Sequence, residues 1–314
     1  MTDRNDASTS MRRFGVGVLG LGVMGQRMVE GLRAHPQFDV PAACDPAVNA
    51  GDSTVAMLPS PEAVIAHPAV DCVYIATPPL AHLPLLQQAV AARKAVFCEK
   101  PLAATVDEAQ ACVAAVEAAG VPAAVNFPFA RAEASLRLQE LVRSGALGMV
   151  QEARLTLRFA TWPRGWQTGA STWLAKPVQG GFAREVLSHF LFLSLRLFGH
   201  GAIREATLQR GPAGTETALQ AVIDFGLVPL TIDAAVAGDV DDHNRYEVRG
   251  SRDSAALFDW SRLEHAGRSS ERSISMPAQV QGLYRLLCGE PDHGLATLRE
   301  AAEVVTLVEG LLAR

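Results

Sequence analysis

Several features that define other classes of protein are missing from the sequence. No uninterrupted apolar run reaches the roughly 18 residues that a membrane-spanning helix needs. The five cysteines show no CxxC spacing, so the pattern indicates neither a zinc site nor a disulfide framework. The lysines and arginines form no cluster and the formal net charge is −5, which disfavours nucleic acid as a partner. We expect no metal, no nucleic acid, no membrane partner, and reduced cysteines as in cytoplasmic proteins.

Charged residues are also few, at 19% against 49% hydrophobic residues, and this balance predicts a compact globular chain. At 314 residues the chain is longer than one hydrophobic core usually supports, so two domains are expected. Residues 1–12 are polar and predict a flexible tail. Arg12 and Arg13 resemble part of an export signal, but the apolar run after them belongs to the glycine motif described below, so the predicted location is cytoplasmic.

The first domain is predicted at residues 13–126, where short apolar runs alternate with amphipathic stretches. This alternation is typical of βαβ units around a parallel sheet. The predicted strands are residues 14–19, 38–44, 72–76, 95–98 and 122–126, and the predicted helices are 24–34, 61–66, 80–92 and 106–119. The fold class expected here is an α/β Rossmann domain with a doubly wound parallel sheet.

The second domain is predicted at residues 127–314, where the hydrophobic pattern changes. Polar and apolar residues alternate at 150–160, 217–225, 230–236 and 245–249, as in strands with one buried face. Apolar segments at 182–198 and 295–312 predict long helices. We expect that the C-terminal helix, taken as 295–314, can pack near the first domain. We expect an α+β domain with an open-faced, largely antiparallel sheet that binds substrate and mediates oligomerisation.

A glycine-rich motif directly follows the first predicted strand. The six residues Gly20–Gly25 read GxGxxG, in which Gly22, Val23 and Met24 lie between the outer glycines. The first glycine allows a tight turn, the second lets the backbone approach a pyrophosphate, and the third lets helix and strand pack closely. A phosphate would then face the N-terminus of the next helix. In this context the motif predicts a dinucleotide site.

An acidic residue occupies the position where such sites contact the adenosine ribose. Asp45 ends the second predicted strand, twenty residues after Gly25. A carboxylate there accepts hydrogen bonds from the ribose and repels a 2′-phosphate. No lysine or arginine follows until Arg93, so the sequence predicts NAD(H) as the preferred cofactor over NADP(H). A structural Asp-Pro turn is the alternative.

Two further turns follow predicted strands at the edge where open α/β sheets bind ligands. Thr77 and Pro78 follow the third strand and His82 begins the next helix, and we assign all three to the cofactor site, with a helix-terminal role for His82 as the alternative. Glu99 and Lys100 follow the fourth strand and are assigned to the same site. A lysine there can stabilise an alkoxide during hydride transfer, so Lys100 is also a catalytic candidate. An exposed turn lysine is the alternative.

These motifs resemble the glucose-fructose oxidoreductase, inositol dehydrogenase and MocA (Gfo/Idh/MocA) family. Four segments carry the resemblance, which spans nearly the whole chain: GLGVMG at 20–25, ATPPLAH at 76–82, EKP at 99–101 and GGFAREVLSH at 180–189. The resemblance implies a Rossmann domain, an open-faced α+β domain, NAD(P)-dependent oxidation or reduction of sugars and related alcohols, and oligomers. It also implies Lys100 and His189 as catalytic residues.

The last of these segments departs from the family pattern, which has an aspartate, a histidine four residues later, and a second aspartate three residues after that. Glu185 occupies the first acidic position and Phe192 the last. Four residues separate Glu185 from His189, which places them on one face of an α-helix. We therefore expect Glu185 to orient His189 and tune its proton as a catalytic partner. A core histidine satisfied by a buried carboxylate is the alternative.

The segment before this helix combines aromatic and basic residues. It contains Trp162, Arg164, Trp166 and Trp173, and Arg184 follows shortly after. Indole rings and guanidinium groups suggest a partly apolar or carboxylate-bearing ligand, so we assign these five residues to the substrate site. A loop that only covers the sheet of the second domain is the alternative.

Together, these residues predict a dehydrogenase or reductase that moves a hydride between nicotinamide and a hydroxyl or carbonyl carbon of a small molecule such as a sugar or polyol. A cofactor-binding sensor without catalysis, an NAD-dependent glycosidase and an imine reductase are the alternatives. The uncovered face of the second sheet predicts a homodimer or homotetramer.

Overall fold

The computed structural model describes residues 12–48, 51, 53–237 and 242–314. The first eleven residues of the expected tail lie outside this range. Within the described chain, the strands form one five-stranded sheet and one eight-stranded sheet.

The five-stranded sheet is parallel, and its strands lie where the apolar runs predict them. Strands β1 to β5 are Phe14–Leu19, Phe38–Cys44, Cys72–Ile75, Ala95–Glu99 and Ala123–Asn126, in the order β2-β1-β3-β4-β5. The connecting helices α1 to α4 are Val23–Ala34, Pro61–Ile65, His82–Ala91 and Val106–Ala119. Strands β1, β3 and β4 are buried along their whole length, because helices pack on both faces of the sheet. The predicted doubly wound Rossmann fold is confirmed.

The eight-stranded sheet is antiparallel except where β6 pairs with β9. Strands β6 to β13 are Val150–Phe159, Gly201–Arg210, Glu216–Phe225, Val228–Val236, His243–Gly250, Ser254–Phe258, Arg262–His265 and Arg268–Ser269, in the order β13-β12-β11-β10-β6-β9-β8-β7. Burial alternates along β8: Leu219 and Ile223 are buried in the core, whereas Gln220 and Val222 reach the other face. The sheet is therefore open on one side, as the sequence predicts.

The remaining helices pack on the covered face of this sheet or return to the first sheet. Helices α5 to α9 are Glu133–Arg143, Ser171–Leu174, Ser188–Phe198, Met276–Leu287 and Leu298–Leu312. Helix α8 contacts α1, and its Val280 and Leu283 share a hydrophobic cluster with β1. Helix α9 contacts both α4 and α7. Helix α9 thus bridges the two sheets, because it also contacts β5 and β7, whereas α8 packs against the first sheet.

Capping boxes fix the start of the two longest described helices. The Thr105 hydroxyl accepts a hydrogen bond from the Glu108 backbone N–H, and the Glu108 carboxylate accepts one from the Thr105 N–H at the start of α4. Thr297 and Glu300 form the same box at the start of α9. Each box satisfies backbone donors that a helix start otherwise leaves open.

The structure differs from the sequence-based prediction in two respects. Helices α5, α6 and α8 and strands β7, β11, β12 and β13 were not predicted individually. The predicted single helix 182–198 is not uniform, because its first part, Ala183–Leu187, is a π-helix and only Ser188–Phe198 is α-helical. This second difference changes which side chains meet at the site.

Candidate active site

The glycine motif forms a tight turn between β1 and α1. Gly20 has φ +94°, and a Cβ there would lie 2.6 Å from the Ala76 carbonyl oxygen at the end of β3. A Cβ on Gly25 would lie 2.0 Å from the Gly20 carbonyl oxygen, so only glycine allows α1 to start this close to β1. Gly22 and Val23 are exposed at the helix start. The turn therefore presents bare backbone at the N-terminus of α1, which suits an anionic group.

Asp45 lies beside this turn, at the end of β2. Its carboxylate accepts hydrogen bonds from the backbone N–H of Leu21, at 2.6 Å, and of Ala47, at 2.8 Å. These bonds fix the carboxylate next to the glycine turn. A carboxylate has further lone pairs, so it can still accept a bond from a ligand hydroxyl.

Thr77, in the turn after β3, is suited to bind a ligand, whereas His82, at the start of α3, is not. The Thr77 hydroxyl oxygen is buried and has no hydrogen-bond partner among the described residues, and Pro78 is exposed beside it. His82 is fully buried, with Nε2 2.8 Å from the Thr77 carbonyl oxygen and Nδ1 3.0 Å from that of Pro101. Both ring nitrogens contact backbone carbonyls, so His82 joins the turns after β3 and β4 and has no nitrogen left for a cofactor.

Glu99 belongs to a buried network that crosses three neighbouring strands. The Tyr74 hydroxyl on β3 and the Asn126 side-chain amide on β5, at 2.7 Å, both donate to Glu99 Oε1 on β4. Burial raises the pKa of Glu99 and of Tyr74. The backbone N–H of Lys100 donates to Glu99 Oε2 at 3.3 Å. Glu99 therefore also has a supporting role beneath Lys100, and sequence reasoning missed Tyr74 and Asn126.

Lys100 and Glu185 meet where the two sheets face each other. Lys100 Nζ donates to Glu185 Oε2 at 2.5 Å and to the Glu185 carbonyl oxygen at 2.8 Å, and the two side chains are 8% and 17% exposed. Lys100 follows β4 of the parallel sheet, and Glu185 lies in the π-helix before α7. The structure therefore brings together two predicted catalytic residues that are far apart in sequence, and Lys100 is not an exposed turn lysine.

The expected contact between Glu185 and His189 is not made. Glu185 directs its carboxylate to Lys100 and to Gln167, whose Nε2 donates to Oε1 at 3.1 Å. The π-helix explains this, because hydrogen bonds from residue i to i+5 widen the turn, and four residues no longer complete one. The i, i+4 expectation holds only for an α-helix. Glu185 is thus a partner of Lys100 and not the group that orients His189.

His189 lies in an aromatic environment instead. It is 7% exposed, and the rings of Phe127, Phe129 and Trp260 meet it edge to face at 5.9, 5.9 and 5.3 Å between ring centres. Its Nδ1 is buried and has no hydrogen-bond partner among the described residues. Burial, together with the nearby positive charges of Lys100 and Arg164, lowers the pKa of His189 well below its usual value. The imidazole is therefore neutral near pH 7.

Phe192 explains why His189 lacks an acidic partner. Its ring stacks on Phe127 with centres 4.6 Å apart, in the layer that also contacts the imidazole. An apolar ring at this position provides no acceptor for Nδ1. The alternative of a core histidine satisfied by a carboxylate is thus also not what the structure contains.

Arg164 is buried among carboxylates and indoles. It is 4% exposed, Nη1 donates to Asp242 at 2.6 Å, and Nη2 lies 3.6 Å from Glu185 Oε1. Its guanidinium carbon is 4.8 Å from the ring centre of Trp166 and 5.8 Å from that of Trp260. Sequence reasoning missed Asp242 and Trp260, since neither lies in a recognisable motif.

The other predicted substrate residues, Trp162, Trp166, Trp173 and Arg184, differ in their exposure and in their partners. The Trp162 ring lies 5.8 Å from the Arg164 guanidinium, and Trp166 is 49% exposed and also lies 5.8 Å from Arg27 of α1. Trp173 is partly buried on α6. Arg184 is 7% exposed, and its guanidinium binds both carboxylate oxygens of Glu309, at 2.6 and 2.7 Å.

This arrangement removes the reason to expect a carboxylate-bearing ligand. The two arginines that suggested it, Arg164 and Arg184, each already bind a carboxylate of the chain itself. Trp162, Trp166 and Trp260 remain as an aromatic surface around the Arg164 guanidinium, which lies next to Glu185.

The fold and the glycine turn together define a Rossmann-type nucleotide-binding protein with a second, open-faced sheet. Residues 14–127 match the model of the oxidoreductase family with an NAD-binding Rossmann fold. The resemblance to the Gfo/Idh/MocA oxidoreductases is therefore confirmed over residues 14–127.

Named relatives agree with this assignment. D-apiose dehydrogenase of Paraburkholderia graminis is 29% identical over 159 residues, which cover 49% of this chain and 42% of the relative. The matches span less than half the length of the first curated relatives. Among solved structures, an oxidoreductase from Thermotoga maritima has a TM-score of 0.84 at 18% identity, and a levoglucosan dehydrogenase complex with NADH has 0.81 at 17%; each alignment covers 96% of both chains. These identities support the fold alone.

No described helix is both long and apolar enough to cross a membrane. No group of three or more His, Cys, Asp or Glu side chains in the described residues could hold a metal ion.

Proposed function

We propose that the protein is an NAD(H)-dependent dehydrogenase or reductase of a neutral sugar, polyol or related alcohol. The observation that carries the proposal is the Lys100–Glu185 ion pair, which lies at the carboxyl edge of the parallel sheet with the glycine turn and His189 nearby in the fold. A non-catalytic sensor needs no buried lysine paired with a carboxylate at this edge, and two of the named relatives are dehydrogenases.

The residues at this edge fit a nicotinamide dinucleotide. The Gly20–Gly25 turn offers open backbone at the start of α1, and the buried Thr77 hydroxyl has no described protein partner. Asp45 offers a fixed carboxylate for ribose hydroxyls, and it would repel a 2′-phosphate. These groups support NAD(H) as the preferred cofactor. When bound, the nicotinamide supplies the hydride acceptor or donor.

Lys100 is suited to stabilise the reacting oxygen. An ammonium group has three N–H donors, and two of them are used by the carbonyl and the carboxylate of Glu185. The third can donate to a substrate oxygen. Because the side chain is only 8% exposed, this hydrogen bond would form where little water competes, which strengthens it.

His189 is suited to accept a proton. A neutral imidazole can remove the proton of a substrate hydroxyl as the alcohol is oxidised, and it returns that proton in the reverse direction. The lowered pKa of His189 keeps it in the accepting form near neutral pH. The two residues divide the work, with Lys100 stabilising charge and His189 moving the proton.

The charge balance of the site favours a neutral substrate. The cations Lys100 and Arg164 are matched by the anions Glu185 and Asp242 through ion pairs. A carboxylate or phosphate placed here would add an unpaired charge to a largely buried site, which is costly. Neighbouring indoles can pack against the apolar face of a sugar ring.

A substrate screen tests the proposal. Purified protein would be incubated with NAD⁺ or NADH and with sugars, polyols, hydroxy acids or cyclic imines, while the absorbance of the reduced cofactor is followed. Turnover is expected with members of the first two groups. Cofactor binding without turnover in any group would instead support the sensor alternative, and turnover only with cyclic imines would support an imine reductase.

A second copy of the chain is proposed to cover the open face of the eight-stranded sheet. That face includes a groove of about 470 Å³ lined by residues of β7, β8 and β9, among them Thr207, Val222 and Thr231. Homodimers and homotetramers both satisfy this requirement. A cytoplasmic location is also proposed, supported by five cysteines that are all unpaired.

A further inference from the structure

Arg164 lies at the centre of a chain of alternating charges. From one end to the other, the contacts run from Lys100 to Glu185, to Arg164 and to Asp242, with distances of 2.5, 3.6 and 2.6 Å. Arg164 is the least exposed of the four at 4%. Trp260 Nε1 also donates to Asp242, at 2.9 Å, which closes the chain at its far end.

The two oxygens of Glu185 have separate partners. Oε2 accepts from Lys100, whereas Oε1 faces Arg164 at 3.6 Å and accepts from Gln167 at 3.1 Å. Gln167 is itself held by Arg164, whose Nε and backbone N–H donate to Gln167 Oε1 at 3.1 and 3.3 Å. Arg164 thus fixes the orientation of Glu185 towards Lys100 in two ways, by direct contact and through Gln167.

We propose that Arg164 and Asp242 are positioning residues for the reaction proposed above: Asp242 anchors Arg164, and Arg164 holds Glu185 in the orientation that presents Lys100 to the substrate. The inference rests on the proposed function, and it replaces the expectation that Arg164 binds a ligand carboxylate. The Arg164 guanidinium is already engaged by Asp242, Glu185 and Gln167. The ring centres of three tryptophans lie within 5.8 Å of its guanidinium carbon.

Arg164 also sets the electrostatic environment of His189. Lys100 and Arg164 are the charged groups that depress the pKa of His189, in addition to burial. The rings of Phe127, Phe129 and Trp260 also pack on the imidazole, and they carry no charge. Removing the Arg164 charge therefore raises the pKa of His189, because one cation no longer opposes its protonation.

Three variants test the proposal: Arg164→Met, Arg164→Lys and Asp242→Asn. Arg164→Met should lower kcat by about 10-fold to 100-fold, the range expected when a catalytic group is misplaced, while the Kd of NADH stays the same. NMR titration of labelled histidine should show a higher pKa of His189, and the acid limb of kcat/KM for alcohol oxidation should move to higher pH. Arg164→Lys keeps the charge and should restore the pKa of His189. Asp242→Asn should lower kcat without raising that pKa.

Arg196→Met is the matched control. Arg196 also forms a partly buried ion pair, with Glu300 at 2.7 Å, and it lies on α7 away from Lys100. Its loss should reduce stability without moving the pKa of His189. If Arg164→Met leaves both kcat and the pKa of His189 unchanged, the positioning role is overturned. The NMR measurement needs no substrate, so failure of this inference is distinguishable from failure of the proposed reaction.

Discussion

At the scale of single residues, the site is defined by which side chains found partners and which did not. Lys100 and Glu185 are paired, whereas the Nδ1 atom of His189 and the Thr77 hydroxyl are buried without a described partner. Buried polar atoms normally have a partner, so these two point to a bound ligand or water. The residue types were visible in the sequence, but their pairing was not, because it depends on whether the segment before α7 forms a π-helix or an α-helix.

The pH dependence of stability should report the buried state of His189. Its pKa is lowered in the folded state, so below the unfolded value of about 6.5 the unfolded chain binds a proton that the folded chain does not. Stability is therefore complete above that pH and falls as the pH drops towards the folded pKa, by at most about 1.4 kcal/mol per pH unit.

His189→Leu should flatten this fall, as measured by urea unfolding at pH 7.5 and pH 5.5. Exposed His243 is the control, and His243→Gln should leave the fall unchanged. An equal pH dependence in wild type and His189→Leu would contradict the neutral, buried imidazole. His82 and His293, whose pKa values are also lowered by burial, contribute to the part of the fall that remains.

Asp45 should determine the cofactor preference. Wild-type protein is expected to bind NAD(H) more tightly than NADP(H), because the fixed carboxylate repels a 2′-phosphate. Asp45→Ser removes this charge and should narrow the difference in Kd, measured by fluorescence titration of both reduced cofactors. Equal Kd values in the wild type would show that Asp45 only supports the Leu21 turn.

At the scale of elements, regular hydrophobic periodicity made most of the fold predictable. The π-helix before α7 limited how much of the site could be predicted. The strands of the parallel sheet match their predicted bounds within one residue at each end because each is a buried apolar run next to a turn. Nothing in residues 182–198 distinguishes a π-helix from an α-helix, since the segment is apolar on most sides. The position of Glu185 could therefore not be derived from spacing.

The start of this π-helix should be sensitive to added bulk. Gly181 has φ +96°, and a Cβ there would lie 2.4 Å from the Glu216 carboxylate, which accepts from the Ala183 N–H at 2.6 Å. Gly181→Ala thus combines backbone strain with a clash against a buried cap. Urea unfolding should show a loss well above the roughly 1–2 kcal/mol of a left-handed alanine alone.

Gly120→Ala provides the comparison for this variant. Gly120 also has a positive φ, +61°, but nothing lies within 4 Å of the added Cβ, so only the backbone strain remains. Similar losses for the two variants would argue against a tight contact between Gly181 and Glu216. A lower kcat is expected for Gly181→Ala alone, because the π-helix carries Glu185.

At the scale of the whole molecule, the two sheets contribute different parts of one site. The parallel sheet supplies the glycine turn and Lys100, the π-helix supplies Glu185, and the first turn of α7 supplies His189. The GxGxxG and EKP motifs allowed the first half to be predicted from the sequence. Asp242 and Trp260 could not be, since long-range folding alone brings them to Arg164.

The open face of the eight-stranded sheet should mediate self-association. Light scattering at micromolar concentration should give the mass of a dimer or tetramer. Val222→Arg on β8 should shift the mass to that of a monomer, because it places an unpaired charge in the proposed interface. Leu136→Arg, at an exposed position on α5, should not. A monomeric wild type would refute the proposed interface.

The central claim is that Lys100 acts on the substrate and not on cofactor binding. The most direct measurement compares kcat and the Kd of NADH in Lys100→Met with those in Lys94→Met, which changes a lysine at the opposite end of the same strand. Lys100→Met should keep the Kd and lose about 100-fold or more in kcat, the range expected for a positioned electrostatic group, while Lys94→Met keeps both. Full kcat in Lys100→Met would contradict the account.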